Sequence, residues 1–218
     1  PGEVHVMEAV IQSRRRATYN EIEAERQANE KDVDWEFAPH FELYRLIRKA
    51  RSDRGSIDFD LPEAAVVVDK QGEPVEIVNR ARNDAHRLIE EFMIAANEAV
   101  TRWMMERSWP FVYRIHDEPA LAALQRFEEL AATVGIPVSI SGKDRSRDAE
   151  GSSVSPKVLA DVVKQVEGHP AQDLLNMALL RSLKQAIYSS THGQHYGLAS
   201  EAYTHFTSPI RRYPDLVV

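Results

Sequence analysis

The sequence contains no cysteine, which excludes disulfides and thiolate chemistry. No apolar run approaches the length that spans a membrane, and no signal-peptide pattern opens the chain. An excess of positive charge is also missing, because the formal net charge is −7 over 218 residues. Any nucleic acid would therefore have to bind in a local channel of Arg and Lys. We expect a cytoplasmic protein without membrane contact.

What the chain does contain is apolar material for one sizeable core or two small ones, since 43% of its residues are hydrophobic and 28% are charged. It opens at Pro1 without a methionine and stops at Val218, just after a new apolar pattern begins. We therefore expect that residues 1–218 are one part of a larger domain.

The hydrophobic pattern predicts an α+β fold, with a mixed sheet wrapped by five or six helices. Strands are predicted at 4–12, 64–69, 73–78 and 111–116, the middle two forming a hairpin. A helix with a variable loop is expected within 20–35. Further helices are predicted at 40–54, 82–107, 119–134, 156–167 and 171–187, and a loop at 141–155. The helix that Gly55 ends places four arginines on its polar side: Arg45, Arg48, Arg51 and Arg54.

The longest predicted helix, 82–107, carries one apolar stripe of helical period that we expect to be buried. Glu90 and Asn97 are seven residues apart and so lie on nearly the same face, beside the centre of the stripe. They form either a buried hydrogen-bonded pair or the lining of a site. The stripe consists of Ile89, Phe92, Met93, Ala96, Val100, Trp103 and Met104.

The end of the chain predicts a helix start, with Ser208 as N-cap and Pro209 at the first helical position. Arg211 and Arg212 would then lie in the first turn, where an anion is normally favoured. Two cations there indicate either a bound negative group such as a phosphate or an internal salt bridge from Arg211 to Asp215.

Three other features have both a structural and a functional interpretation. Tyr19, after a run of three arginines, is either an exposed strand-end residue or an aromatic that stacks on a nucleotide. Phe59 is either a core residue or a ligand contact. His192 and His195 have a spacing compatible with zinc, but the nearby sequence offers no further ligands, so we predict no metal there.

Two long motifs carry a resemblance to a known family. The run Tyr-Thr-His-Phe-Thr-Ser-Pro-Ile-Arg-Arg-Tyr-Pro-Asp, ending at Asp215, resembles the signature near the end of the catalytic RNB domain of RNase II and RNase R. Residues 88–97, Leu-Ile-Glu-Glu-Phe-Met-Ile-Ala-Ala-Asn, resemble a second segment of that domain. Residues 179–188 are more similar to RNase R than to RNase II. The segment Arg114-Ile115-His116 also matches, and we interpret it as architectural, with RNA contact left open.

The resemblance implies a monomeric 3′→5′ exoribonuclease that hydrolyses single-stranded RNA processively to 5′-mononucleotides, using a Mg²⁺-activated water. It implies that Arg211 neutralises charge on the scissile phosphate. Tyr19 and Glu90 would position the terminal nucleotide, and Phe59 would stack on bases. Asn97 and Arg212 are the further RNA-binding residues that it predicts.

The family holds its metals with an aspartate cluster that these residues do not contain, and we expect it upstream together with the flanking RNA-binding barrels. The chain alone is therefore predicted to be inactive, with activity in the parent protein. Two other hypotheses remain: a non-catalytic RNA-binding module of the same family, and a helical scaffold for protein interaction.

Overall fold

The computed structural model describes residues 2–80, 82–140 and 154–218. This part of the chain confirms the α+β class, with six helices. Its strands form two separate antiparallel sheets, β1–β2 and β3–β4, where the sequence suggested one mixed sheet. The elements in chain order are α1 Tyr19–Ala28, α2 Ala38–Arg54, β1 Glu63–Val68, β2 Pro74–Arg80, α3 Asp84–Glu106, β3 Tyr113–Ile115, α4 Leu121–Thr133, α5 Pro156–Gln165, α6 Gln172–Ser182 and β4 Ile187–Ser189. Among these, no helix has the length and apolarity needed to cross a membrane.

The described residues divide into two compact units. The first unit contains α1, α2, α3, β3, β4 and the end of the chain, and its three segments run to Ser56, over Asn83–Asp117 and over Gln185–Val218. Aromatic and aliphatic side chains of α2 and α3 form one core cluster, and a second lies at the far end of α3. The buried members are Phe41, Tyr44, Ala85 and Leu88 in the first cluster and Val100, Met104 and Phe111 in the second.

Helix ends in the first unit follow the local sequence. Thr18 and Glu21 form a capping box at the start of α1. The side chain of Asn83 caps α3 by accepting a hydrogen bond from the His86 amide at 3.2 Å. Gly55 ends α2 in the left-handed conformation, with φ of 93°, as predicted.

The buried face of α3 differs from the predicted stripe. Ile89 is 40% exposed, whereas Glu91 and Asn97 are only 2% and 1% exposed. Both polar side chains have partners that make burial tolerable. For Glu91 the partner is Arg51, which the sequence placed on the polar side of α2 and which is itself buried. The sequence pattern treats charged residues as exposed. It therefore predicted a buried face of α3 that is displaced by about one residue from the face that the structure buries.

The second unit contains the hairpin and the helices α4, α5 and α6. The predicted hairpin is confirmed, with Asp69 accepting backbone hydrogen bonds from Gln71 and Glu73 at 2.8 and 3.0 Å in its turn. Helix α4 packs against α6, and apolar side chains from all three helices are buried. They include Leu124, Phe127, Leu159, Val162, Leu175 and Leu179. The predicted loop at 141–155 lies outside the described residues up to 153.

Three predicted elements are wrong in extent or kind. Residues 4–12 form no strand, because the described chain offers no neighbouring strand to which their backbone groups could bond. The helix predicted at 171–187 ends at Ser182, since Leu183 is extended and the next residues lead into β4, which pairs with β3. No α-helix follows Ser208: a turn and a short 3₁₀ segment, Tyr213–Leu216, occupy that place.

Candidate functional site

The signature segment lies beside β3 in the first unit. Tyr113 forms a bridge with Thr204, and the Arg114 amide donates to the Tyr203 carbonyl at 2.8 Å. The Thr204 hydroxyl donates to the Val112 carbonyl at 2.6 Å. These bonds extend the small sheet and hold the first half of the signature in one register.

Asn97 joins the signature segment to α3. Its Nδ2 donates to the phenol oxygen of Tyr203 at 2.8 Å, and its Oδ1 accepts from the amides of Phe206 and Thr207 at 3.0 and 3.2 Å. Because the side chain is buried and these bonds run to three residues of one segment, its geometry fits a positioning role. The RNA contact that the resemblance implied for Asn97 stays a prediction.

Asp215 holds the second half of the signature. Its Oδ1 accepts from the Ser208 amide at 2.8 Å and from Arg212 Nη2 at 2.7 Å. Burial alone would raise the pKa of Asp215, but the bonds from Arg212 and Ser208 outweigh it and lower the pKa. The salt bridge that the sequence offered for Arg211 is therefore made by Arg212, because the chain turns there and does not form the expected helix.

Arg211 is exposed at the turn that these anchors define. Its Nη2 lies 3.4 Å from the Ser208 hydroxyl, and in the described part of the chain no carboxylate forms an ion pair with it. An exposed guanidinium on a loop fixed from both sides is well suited to bind an anion from solution.

His205 lies among cations. Its Nδ1 is 2.8 Å from the hydroxyl of Tyr188, and the guanidinium of Arg114 lies 4.6 Å above the Tyr188 ring. Burial, together with the positive charges of Arg212, Arg114 and Arg211, lowers the pKa of His205 to about 4. The imidazole is therefore neutral near pH 7.

A second group of rings lies behind the signature. His195 lies between His116 and Tyr203, with ring centroids 5.1 and 5.3 Å away. Burial and the neighbouring His116 lower the pKa of His195 to about 3. His116 Nδ1 accepts from the Gly197 amide at 3.1 Å, in keeping with an architectural role. No group of three or more His, Cys, Asp or Glu side chains suited to a metal ion occurs within the described ranges.

A buried ion pair joins α2 to α3 beside the site, and the sequence analysis did not predict it. Arg51 Nη2 lies 2.7 Å from Glu91 Oε1, and Arg51 Nη1 donates to the Ser56 hydroxyl at 3.1 Å. That hydroxyl lies 3.3 Å from the carbonyl of Gly197. The regular spacing of arginines on α2 concealed the pair, because nothing in the local sequence distinguishes Arg51 from Arg45, Arg48 and Arg54. Its only signal was a glutamate within the apolar run of α3.

Tyr19 and Glu90 lie in the same unit as the signature. Tyr19 begins α1, is 44% exposed and stacks on His86 with ring centroids 4.1 Å apart. Glu90, half-buried, is one turn further along α3. None of the hydrogen bonds, ion pairs or ring contacts of the described chain joins Tyr19 to Arg211. Asn97 and Asp215 thus hold the segment that carries Arg211 and Arg212. Tyr19 and Glu90 belong to the same unit, and their contact with a nucleotide at Arg211 stays a prediction.

Phe59 belongs to the second unit. It is half-buried in the irregular segment before β1, and its ring stacks on no other ring of the described chain. Its neighbours Asp58 and Asp60 lie 3.3 and 3.8 Å from Arg82. The stacking role on RNA bases stays a prediction.

Comparison with known proteins identifies the family of this chain. The RNB domain matches residues 2–218 of this chain. The chain belongs to the RNB family. Ribonuclease R 1 of Lactococcus lactis is 44% identical over 177 residues, covering 81% of this chain and 21% of that protein. Ribonuclease R of Aquifex aeolicus is 38% identical over 220 residues, covering 98% and 30%.

A solved RNB structure has the same architecture. Mycoplasma genitalium RNase R, in complex with ribose methylated single-stranded RNA, matches with a TM-score of 0.77 and 28% identity over 91% of this chain and 30% of its own. The RNB assignment and the preference for RNase R are confirmed. The chain spans less than a third of these relatives' length.

Proposed function

We propose that this RNB chain forms the substrate-binding part of a 3′→5′ exoribonuclease that hydrolyses single-stranded RNA processively to 5′-mononucleotides. The observation that carries the proposal is Arg211, an exposed guanidinium without an ion-pair partner in the described chain, on a loop that Asn97 and Asp215 fix in place. The ribonuclease R relatives and the RNA held by the Mycoplasma genitalium protein support RNA as the anion.

The arrangement suggests how the chain would act on RNA. Arg211 would contact the scissile phosphate and stabilise the charge that develops there, with a planar fork that suits phosphate oxygens. Because the loop is fixed before substrate arrives, little reorganisation would be needed on binding. Tyr19 and Glu90 would position the terminal nucleotide, and Phe59 would stack on bases.

The Mg²⁺ that the family resemblance implies does not fit the residues described here, since they lack a suitable cluster of ligands. We therefore assign no step to a metal. A Mg²⁺ requirement of the intact protein stays a prediction, with its ligands expected outside this chain.

The proposal is tested with the intact protein and a single-stranded RNA labelled either at its 5′ end or throughout its length. We expect full-length RNA to disappear without ladders of intermediates, in a reaction that depends on added Mg²⁺. The uniform label should appear in 5′-mononucleotides, and the 5′ label should appear only in the last short product. A circular RNA of the same sequence, which has no 3′ end, is the control and should survive. Internal fragments from the circle would contradict exonuclease action. Binding without any degradation would instead favour the non-catalytic RNA-binding module.

A further inference from the structure

The side chains of Arg114, Tyr188 and His205 meet on one side of the signature segment. Arg114 on β3 and Tyr188 on β4 are paired across the ladder, and the guanidinium carbon lies 4.6 Å from the ring centroid. The Tyr188 hydroxyl lies 2.8 Å from His205 Nδ1. Three separate segments of the chain therefore converge on this cluster.

The cluster carries positive charge that the protein does not balance. In the part of the chain that the structure describes, Arg114, like Arg211, forms no ion pair with a carboxylate. Arg212 is paired with Asp215, and the neutral ring of His205 contributes no charge of its own. Arg212, Arg114 and Arg211 all act electrostatically on His205, whereas Asp215 acts on it in the opposite sense and pairs with Arg212, so the charges left unbalanced are those of Arg114 and Arg211. Like charges gathered in this way repel each other, and a bound anion would offset that cost.

We propose that Arg114, Tyr188 and His205 form a second phosphate-binding site, which takes an RNA backbone phosphate next to the one contacted by Arg211. This inference rests on the proposed function. The guanidinium of Arg114 supplies charge and two parallel donors, and the Tyr188 hydroxyl supplies a further hydrogen bond. His205 is a positioning residue: the neutral ring with its proton on Nδ1 donates to the Tyr188 oxygen, which leaves the hydroxyl hydrogen to be donated to the phosphate. The half-buried guanidinium remains open to solvent, as a ligand site requires.

The site makes a distinct prediction, because a phosphate contact belongs to one linkage of the RNA. In the intact protein, binding is measured by fluorescence anisotropy for a set of single-stranded RNAs. Each carries one neutral methylphosphonate at a successive linkage from the 3′ end. We expect that the wild type loses about tenfold in affinity at one linkage besides that of Arg211. Arg114→Ala should bind unmodified RNA correspondingly more weakly and be insensitive to neutralisation at that linkage.

Matched variants separate a contact from a loss of packing. Tyr188→Phe keeps the ring beneath Arg114 and removes only the hydroxyl, so it should weaken the same linkage by a smaller factor. Arg102→Ala removes one positive charge from an exposed position of α3 and should leave the linkage profile unchanged. Circular dichroism and thermal unfolding confirm that each variant is folded.

The possible failures are distinguishable. If the wild type binds RNA and Arg114→Ala retains the wild-type linkage profile, the second site is wrong and the proposed function stands. If Arg114→Ala and Arg102→Ala both bind every RNA of the set more weakly by the same factor, the effect comes from the overall charge of the protein. The proposed second site is then also wrong. If the wild type binds no RNA at all, both proposals fail.

Discussion

The side-chain oxygen of Asn97 accepts hydrogen bonds from the amides of Phe206 and Thr207 at 3.0 and 3.2 Å. This places a helix side chain at the centre of a loop more than 100 residues away in sequence. The exposed Arg211 therefore depends on a buried amide for its position.

Asn97→Ala should both destabilise the protein and impair RNA cleavage. Two amides and a phenol lose their partner inside the protein, which costs about 2–4 kcal/mol. Urea unfolding measures that loss, and cleavage is then assayed where the variant remains folded. Thr101→Val is the control, since the Thr101 hydroxyl bonds only to the Asn97 carbonyl at 2.7 Å. A cleavage rate for folded Asn97→Ala equal to that of Thr101→Val would contradict the positioning role.

Glu91→Leu and Arg51→Met should each destabilise the fold by about 3–5 kcal/mol, because each leaves one buried charge unpaired. The double variant Arg51→Met with Glu91→Leu should be less destabilising than the sum of the single changes. Asp53→Asn is the control. It breaks the exposed ion pair with Lys49 and should change the free energy of unfolding by less than about 1 kcal/mol. Additive single effects would show that the buried pair is not coupled.

Asp215→Ala should be more destabilising than Asp215→Asn, because asparagine keeps an acceptor for the Ser208 amide while both changes remove the charge that pairs with Arg212. The expected difference is about 1 kcal/mol, measured by urea unfolding. Equal losses would mean that the charge pair, and not the backbone bond, is what Asp215 contributes.

The free energy of unfolding should decrease as the pH is lowered, already above the pH range in which carboxylates titrate. The folded protein lowers the pKa of His205 to about 4 and of His195 to about 3, from an ordinary value of 6.5. As the pH falls, the unfolded chain therefore binds protons at these two histidines more readily than the folded chain does. The stabilisation is complete above about pH 6.5 and is lost as the pH falls towards the folded values. Urea unfolding between pH 8 and 5 measures the slope.

Variants assign that slope to particular rings. His195→Gln should flatten the dependence on pH between 6.5 and 5, whereas His40→Gln, at an exposed position, should leave it as in the wild type. An unchanged slope in His195→Gln would contradict the burial of a neutral imidazole.

The parts of the fold that the sequence predicted well are those with local chemical causes. Gly55 marks the end of α2 because a left-handed backbone is needed there. The family motifs likewise located the RNB domain. Local chemistry also predicted the hairpin, where Asp69 closes the turn.

The failures arise where distant residues decide the outcome. Leu183 leaves its helix because β3 offers backbone partners 70 residues upstream. The start of the chain has strand composition but no partner strand in the described residues. The sequence predicted that Arg51 is exposed, whereas the structure buries it beside Glu91 on another helix. Arg114 and His205, which we propose as part of a second phosphate site, lie in separate family motifs, and the sequence does not show that the fold brings them together with Tyr188.

Arg211 is the residue proposed to act at the phosphate that is cleaved. The decisive measurement is single-turnover cleavage of a labelled single-stranded RNA by the intact protein, with RNA binding measured in parallel, for the wild type, Arg211→Lys and Arg211→Ala. We predict that Arg211→Ala slows the chemical step by at least about 100-fold, with RNA affinity reduced by less than about tenfold and partial recovery in Arg211→Lys. Equal cleavage rates in the wild type and Arg211→Ala would contradict a role of Arg211 at the scissile phosphate.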